Sequence, residues 1–102
     1  MTSWLAFIFA SVASPADPTP DPLSAAMRCR AYAPVLSAFA SPEQTKAFEF
    51  FWIARSEELG KAQGIDAAAV GMRTLVIPIR AEEARDTLAK CLAVAEEERN
   101  GH

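Results

Sequence analysis

The stretch SPEQTKAFEFFWIARSEELGKAQ, residues 41–63, decides the fold that the sequence predicts. Ser41 is a favourable N-cap, and Pro42 follows it at a position where a helix needs no N–H. Gln44 stands where its side chain closes a capping box, and Gly64 supplies a stop signal. The stretch therefore predicts one helix that begins after Ser41 and ends just before Gly64.

Aromatic residues make this helix the expected centre of the fold. At 100° per residue its main apolar face collects Phe48, Phe51, Trp52, Leu59 and Ala62. Phe50, Ile53 and Ala54 fall on other sides, so the first three turns are apolar nearly all round. We therefore expect other helices to surround them. Gly60 costs about 1 kcal/mol relative to Ala inside a helix, which predicts fraying from that point.

A first helix is predicted before this one, with Asp21 as its N-cap and Pro22 at its first position. Its expected core stripe is Ala25, Cys29, Tyr32, Leu36 and Phe39. Pro34 cannot donate a hydrogen bond to the carbonyl of Arg30, so we expect the helix to kink there or to restart as two pieces.

A short third helix is predicted from Ala67 to about Leu75, after a turn at Gly64 and an N-cap at Asp66. The run TLVIPIR, residues 74–80, is rich in β-branched residues, so helix end, loop and strand all stay open for it. No second β-rich run is present to pair with a strand. We therefore expect a connector that buries its apolar residues, which are Val76, Ile77 and Ile79.

The fourth predicted helix starts at Pro78 and runs to about Arg99, with Glu82 and Glu83 in its first turn. Its expected core stripe is Ala84, Leu88, Cys91, Leu92 and Ala95. Four helices joined by short turns predict an all-α fold, a small domain that resembles a four-helix bundle, over residues 23–102.

The N-terminal part has a different composition. Residues 1–13, MTSWLAFIFASVA, are uncharged and apolar, which is typical of a signal peptide cleaved after Ala13. An uncleaved anchor is the alternative, although the apolar run is well short of the roughly 20 residues that span a bilayer. A buried first helix is a further alternative. Residues 14–22, with prolines at 15, 18, 20 and 22, predict an extended Pro-rich linker.

The chain has two cysteines, Cys29 and Cys91, one on each terminal helix. In an exported protein an even number of cysteines favours a disulfide, and the alternative is two buried free thiols. Together with the predicted signal peptide, this pair indicates a periplasmic or secreted bacterial protein.

Several classes of function are disfavoured by the sequence. A net charge of −3 without a basic patch argues against nucleic-acid binding. The one histidine, His102, is terminal, so the sequence offers neither a metal-ligand set nor a base for a nucleophilic serine. No glycine-rich phosphate loop is present. We therefore expect a protein that is not an enzyme and uses no metal or cofactor.

Arg55 is the residue that most invites a functional hypothesis, because it falls in the middle of an apolar helix face. Its guanidinium is a candidate receptor for an anionic ligand, and nearby aromatics are candidates for contact with a ligand or partner: Trp52, Phe51, Phe48 and Phe50. The structural alternative is an arginine at the core margin that pairs with Glu58 or with an acid of the fourth helix. The aromatics are likewise more typical of a core.

The first hypothesis is a non-enzymatic interaction or structural protein of the bacterial envelope that binds another protein or itself. Contact with a membrane is expected only if residues 1–13 are retained. The general plan, an exported helical chain of this size with two cysteines, is similar to that of small periplasmic acid-stress chaperones, although no sequence motif is shared. This resemblance implies a periplasmic stress-type chaperone as the alternative. A small anionic-ligand binder that uses Arg55 is the third hypothesis.

Overall fold

A computed structural model describes residues 21–101, and this part of the chain is all-α, as the sequence predicts. Its four helices are α1 (Pro22–Tyr32), α2 (Pro42–Ala62), α3 (Ala67–Leu75) and α4 (Ala81–Asn100), and a 3₁₀ helix (Ala33–Ala38) follows α1. The predicted signal peptide, residues 1–13, most of the predicted linker and His102 lie outside the described residues. None of the described helices is both long enough and apolar enough to cross a membrane.

The N-caps that start three of the helices are those that the sequence predicts. The Asp21 carboxylate accepts the Ser24 N–H at 3.2 Å, and that of Asp66 accepts the Ala69 N–H at 2.8 Å. Ser41 forms the complete capping box with Gln44. Each cap satisfies an N–H that the first turn of a helix leaves without an intrahelical acceptor.

Two interruptions of the helices are also as predicted. Pro34 has no N–H to continue the hydrogen-bond ladder, and α1 ends at Tyr32 and gives way to the 3₁₀ helix. Gly64 ends α2 with a φ of 77°, which a residue with a Cβ adopts only at a cost. Helix α2 continues past Gly60 to Ala62, and fraying from Gly60 stays a prediction.

The connector between α3 and α4 differs from the prediction. Residues 76–80 form a loop, and α4 begins at Ala81 rather than at Pro78. Arg80 has an extended backbone, and its N–H donates to the Tyr32 hydroxyl at 3.0 Å. Val76 and Ile79 are exposed, so the prediction that they are buried is wrong, and only Ile77 is half-buried. The reason is that α3 and α4 do not pack against each other, so the loop crosses an open surface between them.

The core has two parts. The larger part joins α1, the 3₁₀ helix, α2 and α4, and its buried members are Ala26, Cys29, Tyr32, Ala33, Leu36, Phe48, Trp52, Ala84, Leu88, Cys91 and Ala95. The smaller part consists of Leu23, Met27 and Val70 and holds α3 against α1. Helix α4 therefore touches the larger part alone.

Several residues of the predicted stripes lie at the surface instead. Phe50 is 60% exposed, and Ala54 is exposed as well, so the prediction that other helices surround α2 is wrong. Phe39, Leu92 and Ala62 are also exposed. The physical reason is that too few helices surround α2: α1 packs along one side, and α3 and α4 cover only parts of the rest.

Two glycines inside helices, Gly60 and Gly71, provide a matched test of how closely α3 packs against α2. A methyl group at Gly60 would collide with the buried Val70 side chain and lie 3.3 Å from the Ile65 carbonyl oxygen, whereas at Gly71 it would make an ordinary contact of 3.6 Å with Arg30. We expect Gly60→Ala to lower the free energy of unfolding by about 1 kcal/mol, because overpacking outweighs the gain in helix propensity. Gly71→Ala should raise it by up to about 1 kcal/mol.

Urea unfolding followed by circular dichroism measures both changes. An increase in stability with Gly60→Ala would show that α3 does not approach α2 this closely.

Candidate functional site

The Cys29 and Cys91 sulfurs lie 2.10 Å apart, at disulfide distance, and the two Cα atoms lie 5.7 Å apart. This contact joins α1 to α4, which the sequence places at opposite ends of the domain. No other cysteine is present in the sequence. A disulfide-distance pair is compatible with an oxidising compartment outside the cytoplasm.

A groove of about 730 Å³, here called the disulfide groove, runs over this contact between α1, α2 and α4. Its floor is apolar and includes both cysteines with Ala25, Trp52 and Leu59, and its rim carries the charged residues Arg28, Arg55, Glu82, Glu83, Asp86, Lys90 and Glu98. The rim therefore has four carboxylates and three cations.

Arg55 lies on this rim, and two acids already neutralise it. Its guanidinium reaches Glu58 at 3.0 Å and Glu98 of α4 at 3.4 Å, which is the structural alternative considered above. The other two rim cations are paired as well, Arg28 with Glu83 at 2.9 Å and Lys90 with Asp86 at 3.2 Å. Among residues 21–101, the groove thus has no unpaired positive charge to attract an anion. Ligand binding at Arg55 stays a prediction.

The aromatic candidates separate into different surroundings. Trp52 is 4% exposed and packs edge-to-face against Phe48 and Phe51, with ring centroids 6.4 and 4.9 Å away. Its indole N–H has no acceptor within residues 21–101. These rings belong to the core or its margin. Phe50 alone points substantially into solvent.

A second groove, the aromatic groove, lies on the other side of the contact between α2 and α4. It measures about 770 Å³, and its apolar lining includes Leu36, Phe39, Phe48, Phe50, Phe51 and Leu92. The candidate residues are therefore not brought into one site: Trp52 and Arg55 line the disulfide groove, whereas the three phenylalanines line the aromatic groove.

Arg30, which was not among the residues predicted from the sequence, is the more unusual cation. Arg30 and Arg55 are the half-buried cations of the described chain. One Arg30 nitrogen donates to the Ser56 hydroxyl at 3.2 Å, and Ser56 is fully buried and donates to the Ile53 carbonyl. Within residues 21–101 no carboxylate oxygen lies within 4.0 Å of the guanidinium.

One signal in the sequence points to Arg30. The neighbours three and four positions away are Ala26 and Met27 on α1 and Ala33 and Pro34 in the 3₁₀ helix, so neither helix offers it an acid. By contrast, Arg55 has Glu58 three positions later. The contacts of Arg30 with other helices cannot be predicted from its neighbours in the sequence. In the fold, α2 supplies a hydroxyl and α3 supplies no carboxylate.

Arg30 lines a smaller cavity of about 300 Å³, here called the Arg30 pocket. Its walls come from α1, the 3₁₀ helix, α2, α3 and the connector, and most are apolar: Ala31, Pro34, Ile53, Gly71, Leu75, Ile77 and Ile79. Glu49 also lines it. Glu49 and Ser56 are seven residues apart on α2, which corresponds to about 10 Å along the axis, so this acid lies toward the far end from Arg30.

Beside this pocket, large apolar side chains are exposed at the end of α3 and in the connector. They form what we call the connector patch: Met72 (71% exposed), Leu75 (84%), Val76 (79%) and Ile79 (46%). Leu75 and Ile79 also line the Arg30 pocket, so patch and pocket are continuous.

Removal of the disulfide between α1 and α4 tests how much it contributes to the stability of the fold. We expect Cys29→Ala with Cys91→Ala to lower the free energy of unfolding by about 4 kcal/mol, because the bridge closes a loop spanning 62 residues in the unfolded chain. Urea unfolding measures this loss. A reducing agent should lower the stability of the wild-type protein to the same level and leave the double variant unchanged. Two titratable thiols in the unreduced, denatured wild-type protein would contradict the assignment.

No group of histidine, cysteine, aspartate or glutamate side chains suited to a metal ion occurs in the described residues. No protein-family model matches the sequence, and the comparisons with curated proteins and with solved structures also gave no match. Function is therefore inferred from the geometry of this chain alone.

Proposed function

We propose that this is a non-enzymatic interaction protein of the bacterial envelope that binds a protein partner through the connector patch. The observation that carries the proposal is the exposure of four large apolar side chains next to one another on a single short segment. Single exposed apolar residues are ordinary on protein surfaces, but contiguous ones mark contact sites.

The placement of these residues supports a binding role over a packing role. Met72, Leu75 and Val76 stand at positions i, i+3 and i+4, so they share one face of the end of α3. The buried residues of α3, Val70 and Thr74, lie on its other side. The segment thus uses one face to pack on α1 and α2 and presents the other to solvent.

Charge supports an acidic, apolar protein segment as the partner. From Ala67 to Arg80 the chain has two arginines, Arg73 and Arg80, and no acid, although the protein as a whole has a net charge of −3. Arg80 is paired with Glu83 at 3.8 Å, whereas Arg73 and, in the adjoining pocket, Arg30 have no carboxylate of residues 21–101 within 4.0 Å. The surface next to the patch therefore has an excess of positive charge. A protein segment with apolar side chains flanked by carboxylates complements it in both respects.

The envelope location rests on two features. The Cys29–Cys91 pair is compatible with an oxidising compartment, and residues 1–13 have the composition of a signal peptide. Both are expected of a protein that acts in the periplasm or is secreted.

The connector patch can be tested with substitutions at exposed positions, which should leave the fold intact. We expect Leu75→Gln with Val76→Gln to reduce binding to an envelope partner at least tenfold, because two apolar contacts are removed from the centre of the patch. Phe50→Gln is the matched control, since Phe50 is similarly exposed but lies in the aromatic groove. The partner is captured by crosslinking from its native envelope, identified by mass spectrometry, and then titrated as a purified protein.

Other occupants would give different results. Equal binding by wild-type and Leu75→Gln/Val76→Gln proteins would overturn the docking role of the patch. Binding to vesicles of anionic lipid without any protein would assign the patch to a membrane surface instead. A concentration-dependent dimer that the same substitutions abolish would assign it to a second copy of this chain.

A stress-type chaperone is the second candidate, and the aromatic groove is the observation that favours it. Phe39, Phe50 and Leu92 add a second exposed apolar surface. A chaperone that uses both surfaces should suppress aggregation of unrelated acid-unfolded proteins, and Phe50→Gln should weaken this activity as much as the connector substitutions do. An absence of suppression near pH 2 would remove this candidate.

A further inference from the structure

The Arg30 guanidinium is held in place on one side, and no carboxylate of residues 21–101 lies within 4.0 Å of it. Its Nη1 donates to Ser56 Oγ, and its Nη2 lies next to Gly71, where an added methyl group would be 3.6 Å away. An arginine side chain has five N–H donors, so one hydroxyl acceptor leaves most of them unused by the described part of the protein.

A half-buried cation without a carboxylate partner is an unusual arrangement. Burial removes some of the water that would stabilise the charge, and an ion pair ordinarily compensates for this loss. Arg55, the other half-buried cation, shows the usual solution with two carboxylates. Arg30 is oriented by a fully buried hydroxyl, so its position is set before any ligand arrives.

The pocket around Arg30 limits what can bind there. Its volume of about 300 Å³ is at the lower end for ligand sites, and most of its lining residues are apolar. A concave site receives a chemical group that protrudes from its carrier, whereas a lipid bilayer presents a flat surface. Glu49 toward the opposite end disfavours a ligand that is anionic along its whole length.

We propose that the Arg30 pocket binds a single carboxylate carried next to an apolar side chain, and that this group belongs to the protein partner that docks on the connector patch. The inference rests on the proposed function for the identity of the partner, but the pocket chemistry stands on its own contacts. The carboxylate pairs with the guanidinium in the two-point geometry that arginine favours, and the apolar group contacts Leu75 and Ile79.

The probe is N-acetyl-leucine, which has one carboxylate beside one apolar side chain, titrated into the ¹⁵N-labelled disulfide-bonded protein. Amide shifts should be confined to residues around the pocket, such as Ser56, Gly71 and Thr74, with a Kd of about 1–10 mM. N-acetyl-leucinamide has the same shape without the charge and should bind at least tenfold more weakly. N-acetyl-glutamic acid α-amide tests a side-chain carboxylate, so the stronger of the two acids identifies the source.

Substitutions assign the charge. Arg30→Gln should abolish the shifts, and Arg30→Lys should weaken binding severalfold because an ammonium cannot form the two-point pair. Arg28→Gln is the control, since Arg28 is also on α1 but is paired with Glu83. Circular dichroism shows whether Arg30→Gln folds. If it does not, the comparison of N-acetyl-leucine with N-acetyl-leucinamide on the wild-type protein decides whether the pocket recognises the carboxylate.

Three results would overturn the inference. They are equal binding of the acid and the amide, amide shifts centred on the disulfide groove, and no binding of N-acetyl-leucine at about 50 mM, which is about 50 times the lowest Kd expected. Partner binding that survives Arg30→Gln but is lost with Leu75→Gln/Val76→Gln would overturn it and leave the proposed function standing. N-acetyl-leucine binding, together with partner binding that Leu75→Gln/Val76→Gln leaves unchanged, would support the pocket chemistry. It would overturn both the proposed function and the assignment of the carboxylate to a partner that docks on the patch.

Discussion

The covalent contact between Cys29 and Cys91 fixes how far α4 can move away from α1. Without it, α4 would depend on one large buried side chain, Leu88, on small ones such as Ala84 and Ala95, and on surface ion pairs that contribute little to stability. Small side chains bring helices close but bury little apolar area. The link therefore holds the last helix in place, and it leaves a groove on either side of the region where α4 meets α2.

The opposite end of the domain is organised differently. Helix α3 is attached through close backbone approach, where Gly60 allows Val70 to reach α2, and not through a covalent link. Because α3 and α4 do not pack against each other, no second layer from residues 21–101 covers the connector between them. The exposed apolar side chains of the connector patch follow from this geometry, since a segment with one helix layer beneath it can bury only one face.

The features that the sequence predicted well are those set by local chemistry. Asp21, Ser41 and Asp66 cap helices through contacts within three residues, and Pro34 interrupts α1 through its missing N–H. The errors concern burial: how much of α2 other helices cover, and the connector, where the burial of Val76 and Ile79 depends on whether α4 packs over α3. That question is one of tertiary arrangement, and Pro78 in an apolar run gave no information about it.

The same distinction between local chemistry and tertiary arrangement explains which contacts of the candidate site could be predicted. The partner of Arg55 at Glu58 lies one turn away and was predictable, whereas its second partner, Glu98, comes from another helix. Arg30 became notable only when α2 was seen to offer it a hydroxyl and α3 no acid. A missing partner is a property of the folded surroundings, so periodicity along one helix can suggest it but not establish it.

A partner can bind the connector patch only if the patch is open to solvent in the folded protein. Two methionines report on it directly, because Met72 is 71% exposed in the patch and Met27 is 9% exposed in the core. Oxidation by dilute hydrogen peroxide, followed by peptide mapping, measures the rate at each sulfur. Met72 should react roughly tenfold or more faster than Met27, since oxidation follows exposure. Equal protection of the two methionines in the folded protein would show that the patch is covered and would contradict the account.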